Sequence, residues 1–148
     1  MPSTHLSLNF HVVFSTKDRE PSIAPEWRSR LHAYMGGVVT NLGGTPVAIG
    51  GIADHVHLLL GLPATCALSD VVRSLKANSS RWVHDEIGLA RFIWQEGYGA
   101  FTVSPSQCRT IIEYIANQEE HHRTRSFQEE YLAFLKKCGI SFDERFLW

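Results

Sequence analysis

Two stretches carry side chains that could do chemistry together: Asp54-His55-Val56-His57 and Tyr114-Ile115-Ala116-Asn117-Gln118. Residues two apart on a strand point to the same face, so His55 and His57 stand side by side and can chelate one divalent ion. Val56, Leu58, Leu60 and Leu62 then make an opposite face that is wholly apolar and must be core. Residues four apart on a helix sit over one another, which sets the Tyr114 phenol beside the Gln118 amide oxygen. Two imidazoles, one amide oxygen and a phenol amount to a metal site with a nucleophile. Each part alone has a plainer reading. A short His-x-His pair is more often two histidines on a partly exposed sheet face, and a tyrosine on an amphipathic helix is more often half-buried packing.

Residues 6–14 alternate, with Leu6, Leu8, Phe10, Val12 and Phe14 on one side, which is a strand with one buried face. A helix opens at Pro25, carries Trp27, Leu31, Tyr34, Val38 and Leu42 at helical spacing, and stops at Gly43-Gly44. Strands follow over 45–51 (Val47, Ile49) and 55–62, ended by Pro63. A second helix from Ser69 has Val72, Leu75, Ser79, Trp82/Val83 and Ile87 on its inner stripe. Residues 92–94 and 100–103 read as an interrupted fourth strand. Ser104-Pro105 opens a third helix with a Cys108, Ile111/Ile112, Ile115 stripe, and Ser126 with Glu129 forms a capping box for a last one. That last helix turns Phe127, Tyr131, Phe134/Leu135 and Cys138 inward and ends at Gly139. The order β-α-β-β-α-β followed by two helices predicts an α+β fold, the ferredoxin-like split βαβ arrangement. Its antiparallel sheet has helices on one face, plus a C-terminal helical extension. One domain is expected over 1–148: a core at 5–104, the tyrosine-bearing helix at 105–122 and the last helix at 126–138.

A chain of 148 residues, 44% apolar and 20% charged, is neither disordered nor low-complexity. No apolar run approaches the ~20 residues needed to span a bilayer, and Met1-Pro2-Ser3-Thr4-His5 has no export leader, so a cytoplasmic protein is expected. Cys66, Cys108 and Cys138 form no CxxC pair and read as thiols of a reducing compartment. Fourteen basic against 15 acidic residues counts against non-specific coating of duplex nucleic acid, but leaves room for a small, shaped nucleic-acid site.

His-hydrophobe-His on the third strand, followed by Tyr-x-x-x-Gln on the helix after the fourth, resembles the HUH endonuclease superfamily. From about residue 5 onward the chain resembles the small single-tyrosine transposases of insertion sequences, including the REP-associated tyrosine transposases. Three segments in order carry the likeness: Gly51-Ile52-Ala53-Asp54-His55-Val56-His57-Leu58-Leu59, Trp94-Gln95-Glu96-Gly97-Tyr98-Gly99-Ala100-Phe101-Thr102-Val103-Ser104 and Tyr114-Ile115-Ala116-Asn117-Gln118-Glu119-Glu120-His121-His122. The resemblance implies that His55, His57 and Gln118 are metal ligands and Tyr114 the nucleophile. It further implies cleavage of single-stranded DNA with Mg²⁺ or Mn²⁺, a 5′-phosphotyrosine link with a free 3′-OH, and recognition of imperfect DNA hairpins. A homodimer is implied too, in which the tyrosine helix of one subunit completes the histidine site of the other.

Those roles make physical sense. A divalent ion screens an anionic phosphodiester, and a phenol ionising near pH 10 needs help to attack at neutral pH. A phosphotyrosine conserves the phosphodiester's bond energy, so rejoining requires no ATP, and the chain has no Walker-type glycine loop. Asp54 could orient an imidazole or shape the turn, and His11 could border the site from the first strand. His121, seven beyond Tyr114, could approach the metal or the DNA, or be solvated. His122 and Arg123 could touch phosphate, though Glu119 and Glu120 beside them suit a plain charged surface. For DNA, Arg73, Lys76 and Arg81 form a polar stripe on the second helix, and Lys17 and Arg19 stand in the first loop. Trp82 and Trp94 read as core or dimer interface rather than base-stacking platforms. Three alternatives stand beside the transposase: a host-retained REP-associated tyrosine nuclease, a catalytically inactive ferredoxin-like nucleic-acid-binding module, and a metal phosphohydrolase using water, which would survive Tyr114→Phe.

Overall fold

The first strand begins later than its hydrophobic alternation. β1 spans Asn9–Ser15, and Leu6 and Leu8 stand outside it, 54% and 37% exposed. The structure, a computed structural model, describes residues 3–122, 125–143 and 145. After β1 come α1 (Pro25–Asn41), β2 (Thr45–Gly51), β3 (His55–Gly61) and α2 (Leu68–Trp82). α2 runs on as a π-helical turn, Val83–Ile87, ended by Gly88 in the left-handed region. β4 is Gly99–Val103, and in the segment before it the strand expected at 92–94 is reduced to an isolated bridge between Trp94 and Thr16, just past the end of β1. The chain ends with α3 (Cys108–Ala116), α4 (Gln118–His121) and α5 (Phe127–Lys137). Ser126 caps α5, its hydroxyl accepting from the Glu129 amide at 3.2 Å.

The four strands form one antiparallel sheet in the order β2-β3-β1-β4. Its first face carries Val12, Phe14, Val56, Leu58 and Leu60, buried against Leu31, Met35 and Val39 of α1 and Val72 and Leu75 of α2. This is the main core, and the expected ferredoxin-like layer.

The second face carries His11 and Val13 from β1, His55, His57 and Leu59 from β3, and Phe101 and Val103 from β4, with Val13 opposite His57 and His11 between Leu59 and Phe101. The C-terminal extension closes over it. Val13 and Phe101 pack with Phe127, Tyr131 and Leu135 of α5, while Leu59 and Val103 pack with Ile115 of α3. Two glycines set how closely these helices approach. A Cβ on Gly50 would lie 2.5 Å from the Ile115 carbonyl oxygen, and one on Gly99 would lie 2.9 Å from the Tyr131 hydroxyl. The helices therefore rest on the sheet backbone itself, with the histidines walled in between.

Leu42, Ile112 and Cys138, placed on inner stripes by their spacing, are exposed instead, Cys138 just past the last turn of α5. The tyrosine-bearing segment is also not one helix. The apolar stripe ends at Ile115, and Asn117 (φ −104°, ψ 28°) breaks it, so that Gln118 starts a separate turn. Among the described residues no helix is long and apolar enough to cross a membrane.

Candidate metal centre and nucleophile

β3 delivers both imidazoles fully buried. His55 Nδ1 lies 2.7 Å from Asp54 Oδ1. A carboxylate can only accept there, so the proton sits on Nδ1 and the Nε2 lone pair faces inward. His57 Nδ1 lies 2.8 Å from His11 Nε2, and His57 Nε2 also points inward. Gln118, buried at the start of α4, donates its amide nitrogen to the Tyr114 carbonyl at 3.2 Å. Its oxygen is thereby turned to within 3.1 Å of His55 Nε2. The four residues singled out by spacing, His55, His57, Tyr114 and Gln118, meet within a single chain.

Two further groups join them. His122 donates from Nδ1 to the Arg125 carbonyl at 2.6 Å, which leaves the lone pair of its Nε2 facing Gln118 Oε1 at 3.0 Å. Glu130 of α5, 3% exposed, holds Oε1 2.6 Å from His57 Nε2 and Oε2 3.0 Å from Nε2 of both His121 and His122. Yet, among the described residues, His57 Nε2 and both Glu130 oxygens make no aligned hydrogen bond. One ligand atom from each of His55, His57, His122 and Glu130 lies within 4.8 Å of the others. Lone pairs aimed at lone pairs in a buried space repel unless a cation sits among them, so the donor set fits a divalent ion.

Two of the rings are held neutral. Burial, and then the neighbouring His57, lowers His11 to about 3. Burial lowers His57 to about 4, with Glu130 pulling the other way. Both rings are therefore neutral at neutral pH, as metal ligation and its support require. Burial alone would raise Glu130, but the His122 and His57 imidazoles hold its carboxyl well below the usual range. His122 goes the other way: burial works to lower it, but Glu130 and the Arg125 carbonyl outweigh that, so its Nε2 favours a proton toward Glu130 and would release it on binding a cation.

The Tyr114 ring meets His57 edge-on at 5.5 Å between centroids, and its hydroxyl lies 3.5 Å from His121 Nε2. Burial and then the Glu130 carboxylate push the phenol above its ordinary range. It is thus held protonated beside an anion.

Asp54, His11 and His121 all touch the site, as just described. His122, expected as part of a charged surface, is drawn inside instead. Glu130 was not foreseen, although a signal was present: it occupies the inward i+3 position of the Phe127, Tyr131, Phe134 stripe, where a carboxylate has no business unless something pairs with it. The proposed DNA stripe fares differently, because α2 lies across the sheet from the histidines. Arg73 pairs with Asp70 at 2.6 Å, and Arg81 is exposed. Lys76 is not available to a phosphate. Its Nζ donates to the Gln95, Glu96 and Gly97 carbonyls at 2.8, 3.1 and 2.6 Å, beneath the Phe14 and Tyr98 rings. Lys17 is exposed, while the Arg19 guanidinium reaches the Gln128 amide of α5 at 2.6 Å. Trp94 is core, donating to Ser79 Oγ at 2.9 Å, and Trp82 stacks on Tyr34. Arg123 lies outside the described residues.

Comparison with known proteins agrees with this architecture. The chain is 25% identical over 126 residues to the transposase for insertion sequence element IS200 of Salmonella typhimurium, covering 81% of this chain and 82% of that one. It is 26% identical over 119 residues to the ISDra2 transposase TnpA of Deinococcus radiodurans, covering 76% and 85%. Among solved structures, a putative transposase from Deinococcus radiodurans superposes with a TM-score of 0.63 at 26% identity, over 80% of this chain and 96% of that one. A REP-associated tyrosine transposase bound to a REP hairpin shares the fold, with a TM-score of 0.61 at 16% identity over 82% and 74%. The family profile described as "Transposase IS200 like" matches residues 4–118, from the first strand through Gln118, and the chain belongs to that family of transposases.

Proposed function

We propose that this transposase is a single-strand DNA transesterase in which Tyr114 is the nucleophile and His55, His57 and Gln118 hold Mg²⁺ or Mn²⁺. The observation that carries the reading is the approach of the Tyr114 phenol to the two buried imidazoles of β3 inside one chain. A bound divalent ion would supply Lewis-acid stabilisation of the phosphate charge. The protein's own part is geometric and acid–base. Gln118 ties the tyrosine turn to the imidazoles, and Asp54 and His11 hold the two rings in orientation. The phenol oxygen forms a bond to phosphorus as the bond to the 3′ oxygen breaks. The phenol proton passes to a base, for which His121 is the nearest imidazole, and the departing 3′ oxygen takes up a proton. The reverse step joins the phosphate to another 3′-OH with no net change in the number of phosphodiester bonds.

Hairpin DNA as the partner is supported by the fold-level neighbour, which is bound to such a hairpin. The approach of Tyr114 and Gln118 to the β3 histidines within one chain supports a site formed in cis, in a homodimer as the family resemblance implies. The reading is tested with purified protein, labelled single-stranded hairpin DNA and Mn²⁺. A protein–DNA adduct that survives denaturation, and is lost in Tyr114→Phe and His57→Ala, is the expected result. Cleavage of duplex DNA without an adduct would overturn it.

A further inference from the structure

We propose that Glu130 and His122, supplied by segments beyond the part of the chain the family profile matches, are direct ligands of the same cation. Its site would then be a set of three imidazoles and one carboxylate, with the Gln118 amide oxygen beside it. This rests on the reading that His55 and His57 hold a metal, and adds to it the charge and the chemical selectivity of the site.

Three observations converge. Geometry comes first: ligand atoms of His55, His57, His122 and Glu130 form one buried group within 4.8 Å. Proton placement comes second. Asp54 and the Arg125 carbonyl oxygen hold a proton on Nδ1 of His55 and His122, so each ring in its neutral form turns the Nε2 lone pair to the centre. The third is the carboxylate itself. Glu130 is almost wholly buried, and neither of its oxygens makes an aligned hydrogen bond among the described residues. An ionised carboxylate withdrawn from water is costly unless a cation or hydrogen bonds compensate it, and here the space it faces is ringed by further donors of electron pairs.

The chemistry of this set differs from that of two imidazoles and an amide. The carboxylate turns a neutral ligand set into an anionic one, which strengthens binding of a doubly charged ion. Three imidazoles suit Mn²⁺ and the later first-row ions, whereas Mg²⁺ prefers oxygen donors and retained waters. Because Glu130 belongs to α5, ion binding also fastens that helix across the face where Phe134 meets Tyr114 edge-on.

Isothermal titration of the full chain with Mn²⁺ tests this, alongside far-UV circular dichroism of each variant. Glu130→Gln keeps size and one acceptor oxygen but removes the charge, and should weaken Mn²⁺ binding by about 100-fold; His122→Asn should weaken it by at least about tenfold. Asp70→Asn, which removes an equal charge from exposed α2, should leave affinity unchanged. Mn²⁺ should also bind more tightly than Mg²⁺. Pulsed electron paramagnetic resonance of bound Mn²⁺ gives a count that does not depend on how well Glu130→Gln folds: three imidazole nitrogens in the native chain, two in His122→Asn. Native affinity in a folded Glu130→Gln variant, or two nitrogens in the native chain, would overturn the proposal. If the tyrosine adduct with DNA still forms in either case, only the added ligands are refuted and the transesterase reading stands. A three-nitrogen site in a chain that forms no adduct would uphold the ligand assignment and sink the nuclease.

Discussion

Tyr114 of α3 and His57 of β3 meet edge-to-face at 5.5 Å within one chain. If that contact is the catalytic pairing, the nucleophile and the ligands belong to the same protomer. Mixing Tyr114→Phe protein with His57→Ala protein should then restore no adduct with single-stranded hairpin DNA, because no active site would hold both an intact phenol and intact imidazoles. Were helices exchanged between two copies, mixing would rebuild one good site in each mixed dimer. Recovery of adduct toward a quarter of the native level, the share of sites rebuilt when half the dimers are mixed, would refute the single-chain arrangement.

On the proposed reading, Asp54 would act through His55 rather than on DNA. Its carboxylate accepts from His55 Nδ1 at 2.7 Å and so presents the lone pair of Nε2 to the centre. Asp54→Ala should weaken Mn²⁺ binding by about 10- to 100-fold, the usual consequence of losing a carboxylate behind a ligating imidazole. Asp54→Asn should fall between, since its amide oxygen can still accept. Titration with Mn²⁺ measures both. Equal, native-like affinities would show that Asp54 only shapes the turn, where its backbone carbonyl already accepts from the Thr16 amide at 2.9 Å.

Gly50 lets α3 lie directly on β2, with the Ile115 carbonyl where a side chain would be. Gly50→Ala places a carbon 2.5 Å from that oxygen, and a backbone atom cannot swing aside as a flexible side chain could. Overpacking of this kind costs about 1–3 kcal/mol, which urea denaturation can read. Adduct formation should fall further than stability does, because Tyr114 and Gln118 ride on the displaced segment. A variant that is destabilised but fully active would show that the site tolerates the shift.

These relationships show why part of the site could be read from residue spacing and part could not. His55 with His57, and Tyr114 with Gln118, are close in the chain, so strand and helix periodicity alone put each pair on one face. The first core layer followed from the same periodicity: the Val56, Leu58, Leu60 side of β3 needed a partner, and α1 and α2 carry matching stripes. Which helices close the second face depends on contacts between distant segments. Glu130 is more than seventy positions from His57, and nothing local says that α5 folds back over β3. For the same reason His122 read as surface, since Glu119 and Glu120 next to it are exposed and only the third dimension turns its ring inward. Lys76 is the converse case. Its spacing from Arg73 and Ser80 suggested a phosphate stripe, but the loop before β4 supplies three carbonyls at the point where its ammonium ends.

His32 of α1 offers a pH test away from the ligands. It borders the cleft between α1 and the Asn117 turn, and its Nε2 is buried with no hydrogen-bond partner among the described residues. Burial, helped by the nearby Arg28 charge, lowers its pKa from 6.5 to about 4. In the unfolded chain the ring binds a proton near pH 6.5, while the folded chain resists protonation until about pH 4. Between those values the unfolded state holds more protons, so stability rises with pH and is lost as pH falls from about 7 toward 4. One such group can contribute at most about 1.4 kcal/mol per pH unit. With partial solvent access, a difference of about 1 kcal/mol between pH 7 and pH 5 is expected. Urea denaturation with chelator present, repeated at pH 7, 6 and 5, should therefore show a steeper loss of stability for the native chain than for His32→Asn, which cannot take up a proton. Parallel pH profiles for the two proteins would mean that the ring titrates normally in the folded state.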